Sequence, residues 1–212
     1  MNVKYYPLGE LGANCCFVTD SSDSFSLVVD PGAPSVKIEE LINDFGSEKL
    51  KYILLTHGHF DHIGNAAALK ERFPASKIVI SREDEPFTKN DHLNLAVYMG
   101  DITVTHFTPD IIVSDNDVID FGSETIRVIS TPGHTAGSVC YVIGDSIFTG
   151  DTLMKGTTGR VDFPTGSSSD MRNSLSKLSA LKEDYKLYCG HGESSTLQYE
   201  KKHNIFLGNK II

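Results

Sequence analysis

The amino-acid sequence predicts an α+β fold in which two mixed β-sheets pack face to face and helices cover both outer faces. Short runs of β-branched and aromatic residues recur along the chain, each ending at Gly, Pro, Asn, Asp or Ser. Helical periodicity follows groups of strands in both halves. Because each half supplies strands first and helices after, the layers would stack as a four-layer αβ/βα sandwich. The length of 212 residues predicts one domain, residues 1–212.

The N-terminal half begins with a predicted hairpin, because a Ser/Asp turn separates two β-rich runs. The next segment carries apolar residues at helical spacing from Val36 to Phe45 and ends at Gly46. Pro74 ends a second helix. The predicted elements of this half are strands 15–19 and 25–29, a helix at 36–45, a strand at 52–55, a helix at 66–73 and a strand at 77–80.

The C-terminal half follows an irregular segment, residues 84–116, which is polar and has no clear periodicity before the apolar run at 111–113. We predict that this segment forms a long crossover or a flap over a functional site. Two strand pairs then form around Gly122 and Gly144. The predicted elements are strands 118–120, 125–129, 139–143 and 147–149, a helix at 174–181, a strand at 186–189 and a helix at 197–206.

The composition argues against several classes of protein. A net charge of −9 argues against nucleic-acid binding, which needs concentrated Lys and Arg. The apolar runs are far shorter than a membrane span, and the N-terminus lacks the apolar core of a signal peptide. The four cysteines have neither metal-site nor redox spacing, so we expect buried thiols and a cytoplasmic protein. They are Cys15, Cys16, Cys140 and Cys189.

The strongest local signal is an HxHxDH motif that directly follows the predicted strand 52–55. Gly58 lets the backbone fold tightly, so that three imidazoles and a carboxylate can converge. Imidazole and carboxylate suit Zn²⁺, Fe²⁺ or Mn²⁺. The candidate ligands in the motif are His57, His59, Asp61 and His62.

Three later segments repeat this arrangement. His134 follows the strand that ends at residue 129, Asp151 follows the strand 147–149, and His191 follows the strand 186–189. Each is flanked by glycine. A site at one edge of the sheets would gather its ligands from such strand ends, so the sequence predicts a metal centre there.

This set of motifs closely resembles the metallo-β-lactamase superfamily, and the resemblance covers nearly the whole chain. It implies two divalent metal ions, the first held by His57, His59 and His134. The second would be held by Asp61, His62 and His191, with Asp151 bridging the two. Asp30, in the early Val-Asp-Pro-Gly segment, would orient a ligand imidazole; alternatively, it caps the turn before Pro31. Three other histidines fit no ligand position and are predicted at the surface: His92, His106 and His203.

Within the superfamily, five His and two Asp resemble the glyoxalase II-like thioesterases, including short forms without a C-terminal helical domain. The segment from Gly159 to Phe163 resembles the corresponding segment of these short forms. The resemblance implies hydrolysis of an anionic thioester of the hydroxyacyl-glutathione type by a hydroxide that bridges the two metal ions, with Asp61 and Asp151 as catalytic residues. Arg160 would bind a substrate carboxylate, or it would brace its loop by pairing with Asp162.

Two other activities stay open at this point. The segment around Arg160 also resembles the persulfide dioxygenases, which would use one iron on His57, His134 and Asp151. The third alternative is a lactonase. The metal is taken as zinc, with iron or manganese as alternatives. The partner is predicted to be a small molecule rather than nucleic acid or membrane, and the oligomeric state is open, with a homodimer as one alternative.

Overall fold

Two six-stranded β-sheets form the centre of the structure, a computed structural model that describes residues 1–100 and 102–207. In the first sheet the strands lie in chain order: β1 (Asn2–Leu8), β2 (Ala13–Thr19), β3 (Ser26–Val29), β4 (Leu50–Leu54), β5 (Lys77–Ser81) and β6 (Ile111–Val113). Strands β1 to β3 are antiparallel, and β3 to β6 are parallel.

The second sheet is also mixed. Its strands are β7 (Val118–Phe121), β8 (Glu124–Ser130), β9 (Val139–Ile143), β10 (Ser146–Gly150), β11 (Lys186–Cys189) and β12 (Ser195–Thr196). They pair in the order β7 to β12, and only β10 and β11 are parallel among these described strands. The prediction of two mixed sheets is therefore confirmed.

Five helices accompany the sheets in the described residues: α1 (Val36–Phe45), α2 (Phe60–Ile63), α3 (Ala66–Arg72), α4 (Ser168–Ser179) and α5 (Leu197–His203). None of them is long and apolar enough to cross a lipid bilayer. Ser35, Ser167 and Thr196 accept backbone hydrogen bonds as the N-caps of α1, α4 and α5.

Three apolar layers hold the sandwich together. One packs α1 and α3 on the first sheet, one lies between the sheets, and one packs α4 and α5 on the second sheet. Side chains alternate between the two faces of a strand, so neighbouring residues of β2 belong to different layers. Cys15 enters the outer layer and Cys16 the layer between the sheets. These layers confirm the predicted four-layer arrangement, while the assignment of residues 1–212 to one domain stays a prediction.

Most predicted elements are confirmed within a few residues. Three short or irregular elements, β1, α2 and β12, were not predicted, and α4 begins earlier than expected. Strand β1 was not predicted: it is an edge strand, partly exposed and containing Pro7, and it exists by pairing with β2. Helix α4 begins at Ser168 instead of residue 174, because Ser167 caps a polar first turn that shows no apolar periodicity.

The irregular segment 84–116 contains β6, and its part before β6 connects β5 to this adjacent parallel strand, so the predicted crossover is confirmed. Its described residues form two 3-10 turns, Glu85–Lys89 and Ala96–Tyr98, and residue 101 lies outside the described residues. The flap alternative stays a prediction. The buried first turn brings the segment against the loops that carry the candidate ligands.

Candidate metal centre

All seven predicted ligands lie at the carboxyl ends of strands, along one edge of the sandwich. The HxHxDH motif follows β4, and its last residues lie in α2. His134 follows β8, Asp151 follows β10 directly, and His191 follows β11. Backbone hydrogen bonds join the two sheets beside them, from Val139 N to Thr56 O at 2.9 Å and from Asn14 N to Gly190 O at 2.6 Å.

The seven side chains converge as overlapping groups, in each of which one ligand-type atom per residue lies within 4.8 Å of the others. The first ligand group is His57, His59 and His134, and the second is Asp61, His62 and His191. His57, His62 and Asp151 form a third combination, which connects the two.

The distances inside these groups suit a metal ion. His59 Nδ1 lies 2.9 Å from His134 Nε2 in the first group. In the second, Asp61 Oδ2 lies 3.3 Å from His191 Nε2 and 3.7 Å from His62 Nε2. Two nitrogens bound to one tetrahedral zinc ion would be about 3.3 Å apart, so the observed separations fall close to that value.

Asp151 lies between the two groups. Its Oδ2 is 3.6 Å from Nε2 of both His134 and His191, and its Oδ1 is 3.7 Å from His62 Nε2. This carboxylate therefore faces both groups at once, which is the geometry that a bridging ligand needs.

Unsatisfied buried atoms give an independent test of whether a cation fits. Among the described residues, Nε2 of His57 and of His62 and Oδ1 of Asp151 are buried without a hydrogen-bond partner. Such atoms are rare in folded proteins because their desolvation is costly. All three belong to the connecting combination, where a cation would satisfy them. His59 Nε2 is also without a partner, while its Nδ1 faces the first group.

The first group is kept neutral. Burial, reinforced by the imidazole of His62, holds the pKa of His57 well below its usual value. Burial and the neighbouring His134 lower the pKa of His59 to about 3. Burial also lowers the pKa of His134, although Asp151 opposes it. Neutral imidazole is the form that coordinates a metal ion.

The second group, by contrast, favours positive charge. Burial lowers the pKa of His62, but the carboxylates of Asp61 and Asp30 outweigh it and raise the pKa to about 10. Burial raises the pKa of Asp61, yet His62 and His191 bring it below its usual value. A site that stabilises charge on an imidazole through surrounding carboxylates also stabilises a bound cation.

Outer hydrogen bonds orient the imidazoles. Asp30 Oδ2 lies 2.9 Å from His62 Nδ1, which is the contact that the proposed orienting role of Asp30 requires. The same carboxylate accepts hydrogen bonds from Thr56 N at 2.8 Å and Thr56 Oγ1 at 2.6 Å. His134 Nδ1 lies 2.7 Å from the Arg160 carbonyl, and His191 Nδ1 lies 3.2 Å from the Leu11 carbonyl. In each case Nε2 is left to face the ligand groups.

Asp84 is a residue of the site that the sequence analysis missed. It is fully buried, and its Oδ2 accepts from Gly58 N at 2.8 Å and from Thr135 Oγ1 at 2.7 Å. Its Oδ1 accepts from Gly137 N at 2.8 Å. Burial raises its pKa to about 6 although these three hydrogen bonds oppose the shift. One carboxylate thus connects the loop of His57 and His59 with the loop of His134.

Two glycines make room for the site. A Cβ at Gly190 would lie 2.9 Å from His62 Cε1 and closer still to Asp151 Oδ1. At Gly58 a Cβ would lie 2.7 Å from Phe87 Cδ1. Gly58 was predicted to permit a tight backbone turn, but the structure gives a different reason, which is close packing of the motif loop on Phe87.

Arg160 forms the loop-bracing ion pair that was one of its two predicted roles. Its Nε and Nη2 donate to Asp162 Oδ1 and Oδ2, both at 2.6 Å, and its guanidinium lies 4.0 Å from the centre of the Phe163 ring. The carbonyl of the same residue contacts His134. Binding of a substrate carboxylate by Arg160 stays a prediction.

A cavity of 670 Å³ opens above the ligand groups. Its polar floor includes side chains of both groups, and the irregular segment contributes to its wall. Leu95 is held in the left-handed region, with φ of 70°, a conformation that is unusual for a branched side chain. The apolar wall comprises Leu11, Phe60, Leu95, Tyr98, Met99, Met154, Phe163 and Pro164.

The remaining predictions about histidines and cysteines are confirmed for the described residues. His92, His106 and His203 are exposed and belong to none of the ligand groups. All four cysteines are free and buried. Burial raises the pKa of the Cys140 thiol to about 12, which suits a thiol that acts as a small apolar side chain.

Fold and site together define a protein of the two-sheet sandwich class with a candidate metal centre at the strand ends. The metallo-beta-lactamase superfamily domain matches residues 8–191. Hydroxyacylglutathione hydrolase GloC of Haemophilus influenzae is 31% identical over 214 residues, covering 99% of this chain and 100% of GloC. The chain therefore belongs to the metallo-beta-lactamase superfamily, as the sequence motifs predicted.

Solved structures agree with this assignment. The BLEG-1 B3 metallo-beta-lactamase has a TM-score of 0.86 and 30% identity, covering 97% of this chain and 99% of BLEG-1. TTHA1623, solved in a di-iron-bound form, has a TM-score of 0.83 and 28% identity, covering 96% of this chain and all of TTHA1623. The fold is one that binds divalent metal ions, and the histidine clusters of this chain fit such a site.

Proposed function

We propose that this protein is a dinuclear metal hydrolase that cleaves thioesters. The observation that carries the proposal is the position of Asp151 between two complete ligand groups at the floor of one cavity. His57, His59 and His134 would hold the first ion, and Asp61, His62 and His191 the second. Zinc is the proposed metal, with iron and manganese as alternatives for the same donors.

Divalent ions at such a site supply Lewis acidity, which acidifies water and polarises a carbonyl oxygen. The protein residues do the rest. Asp151 would fix the spacing of the two groups, and Asp61 would add negative charge to the second group. The apolar cavity wall would exclude bulk water, which strengthens electrostatic interactions at the reacting carbonyl.

The leaving group favours a thioester among possible substrates. A thiol has a pKa near 8.5, so a thiolate departs with little help from a general acid. The histidines at the cavity floor all belong to the ligand groups, which leaves none of them free to protonate a poorer leaving group. GloC, which aligns with this chain over its whole length, is a hydroxyacylglutathione hydrolase by name, and a hydroxyacylglutathione is a thioester. This similarity supports the proposal.

The experiment pairs the metal content of freshly purified protein with two activities, cleavage of S-lactoylglutathione and oxygen uptake with glutathione persulfide. We expect close to two ions per chain and thioester turnover without oxygen uptake. His191→Ala should lose one ion and most of the turnover. His106→Ala is the matched control, because this imidazole is exposed and contacts Asp91 rather than the ligand groups.

Other outcomes would support the alternatives. One iron per chain with persulfide-dependent oxygen uptake would make the protein a dioxygenase that uses His57, His134 and Asp151. Cleavage of an acyl-homoserine lactone in place of the thioester would make it a lactonase.

A β-lactam is the remaining substrate to include, because the similarity to BLEG-1 extends over nearly the whole chain. Location in the cytoplasm and the oligomeric state remain predictions.

A further inference from the structure

The walls of the cavity above the ligand groups are apolar, although its floor is charged. Leu11 and Met154 belong to these walls, and the Leu11 carbonyl lies 3.2 Å from His191 Nδ1. Leu95, Tyr98 and Met99 come from the irregular segment. A ligand whose reacting carbonyl reaches the floor must therefore place the atoms next to it against hydrocarbon and aromatic rings. Burial of apolar surface favours binding in proportion to the area removed from water.

The charges around this cavity are already paired. Apart from the imidazoles of the ligand groups, Arg160 is the only cationic side chain among the described residues of its wall, and both oxygens of Asp162 occupy it. Lys155, the residue after Met154, is paired with Glu193. The chain as a whole carries a net charge of −9, which repels anions from its surface.

A glutathione arm, in contrast, carries two carboxylates and one ammonium group. Recognition of such an arm normally uses an unpaired Arg or Lys as a fork or a point charge. The described wall residues offer only the Arg160–Asp162 pair, whose net charge is zero. The wall therefore suits a neutral apolar chain better than a charged peptide.

We infer that the substrates are thioesters with a straight apolar acyl chain, which lies against Leu11, Leu95 and Met99, and that the thiol carrier contributes little to recognition. This inference rests on the proposed thioesterase function and deepens it. The volume of 670 Å³ is ample for such a chain, because small-molecule pockets usually measure about 300–1,000 Å³.

The inference has a quantitative consequence. Each buried methylene contributes about 0.8 kcal/mol, which corresponds to about a fourfold change in binding. We therefore expect kcat/KM to rise about fourfold per methylene from acetyl upward, until the cavity is filled. The acyl series should be prepared on two thiols, glutathione and the uncharged N-acetylcysteamine. Both carriers should give the same slope, and raising the salt concentration should change neither.

Two variants two residues apart provide the matched comparison, since Val97 lies in the 3-10 turn and Met99 directly follows that turn. Met99→Ala removes wall atoms and should flatten the dependence on chain length. Val97→Ala should leave it unchanged, because Val97 does not line the cavity. Leu11→Ala provides a second wall variant on a different segment, between β1 and β2. Because Leu11 is about half exposed, its truncation should leave the core packing intact.

A binding measurement separates the inference from the proposed function. The affinity of straight-chain alkanethiols for the metal-loaded protein, measured by calorimetry, should also rise about fourfold per methylene in the wild type. Thioester turnover with a flat chain-length profile, or with a salt-sensitive preference for glutathione above tenfold, would overturn the inference and leave the function standing. If alkanethiol affinity rose steeply with chain length but no thioester were turned over, the proposed function would be overturned. The assignment of an acyl substrate would be overturned with it.

Discussion

Replacing Asp84 by Asn should weaken the binding of one metal ion in particular. The amide can present its oxygen to Gly137 N or to Gly58 N, which the two carboxylate oxygens now serve separately. In either orientation one buried backbone N–H loses its acceptor, at a cost of about 1–3 kcal/mol. Because both N–H groups belong to loops that carry His57, His59 and His134, the affinity of the first ligand group should fall about 10–100-fold.

The assay is a chelator competition that resolves two binding steps, together with urea unfolding of the metal-free protein. In Asp84→Asn the step assigned to the first group should weaken, while the step assigned to Asp61, His62 and His191 changes less than threefold. Thr135, the third donor to the carboxylate, can rotate its hydroxyl and accept instead, so its contribution to the loss is small.

Asp110→Asn is the matched control. Asp110 also accepts a backbone hydrogen bond on the first sheet, from Ile78 N at 2.8 Å, but it touches neither ligand loop. It should lower stability without changing metal binding. If Asp84→Asn lowered only the stability of the metal-free protein and bound both ions as the wild type does, Asp84 would be a purely structural residue and our reasoning would be refuted.

Three further predictions concern other buried groups. Asp30→Asn should weaken the second binding step about 10–100-fold and spare the first, because Asp30 contacts His62 Nδ1; the same chelator competition measures it. Burial raises the pKa of Asp20, but hydrogen bonds from the backbone of Phe25 and from nearby serines outweigh burial and lower this pKa to about 2. Asp20 therefore stabilises the fold above pH 4 by about 2 kcal/mol. This stabilisation is lost as the pH falls through 2, and urea unfolding of Asp20→Asn should lack that part of the acid dependence. Because burial raises the pKa of the Cys140 thiol to about 12 and the other cysteines are buried too, iodoacetamide at pH 8 should alkylate all four only after unfolding.

The candidate ligands could be predicted from the sequence because four of them form one HxHxDH motif after a recognisable strand, and the other three each follow a strand and are flanked by glycine. The ligands could therefore be identified from the residues next to them in sequence. The role of Asp84 could not be predicted in that way, because its partners Gly58 and Gly137 are 26 and 53 residues away in sequence. A lone aspartate in an irregular segment gives no signal until the topology of the first sheet brings β5 next to β4.

The residues that form the cavity wall could not be predicted from the local sequence either. Leu95 adopts a positive φ that its residue type disfavours, so sequence propensity argues against the observed conformation. Tertiary hydrogen bonds hold it in place: Asn94 accepts from Phe60 N at 2.8 Å, and its side chain donates to Phe87 O at 3.1 Å. The sequence analysis singled out residues 84–116, but which of these residues line the cavity depends on these contacts.

The strand order β3, β4, β5 has a consequence for how the metal centre is organised before any ion binds. The motif loop after β4 lies between Asp30, which follows β3, and Asp84, which follows β5. Asp30 accepts from Thr56 N and Asp84 from Gly58 N, so carboxylates fix the loop on both sides. In metal-free protein these two amides should therefore exchange their hydrogens slowly, as NMR-detected exchange would measure. Protection of Gly58 should be lost in Asp84→Ala and that of Thr56 in Asp30→Ala, because neither variant keeps an acceptor for the amide. Rapid exchange of both amides in the metal-free wild type would instead mean that the ions themselves, and not the carboxylates, organise the loop.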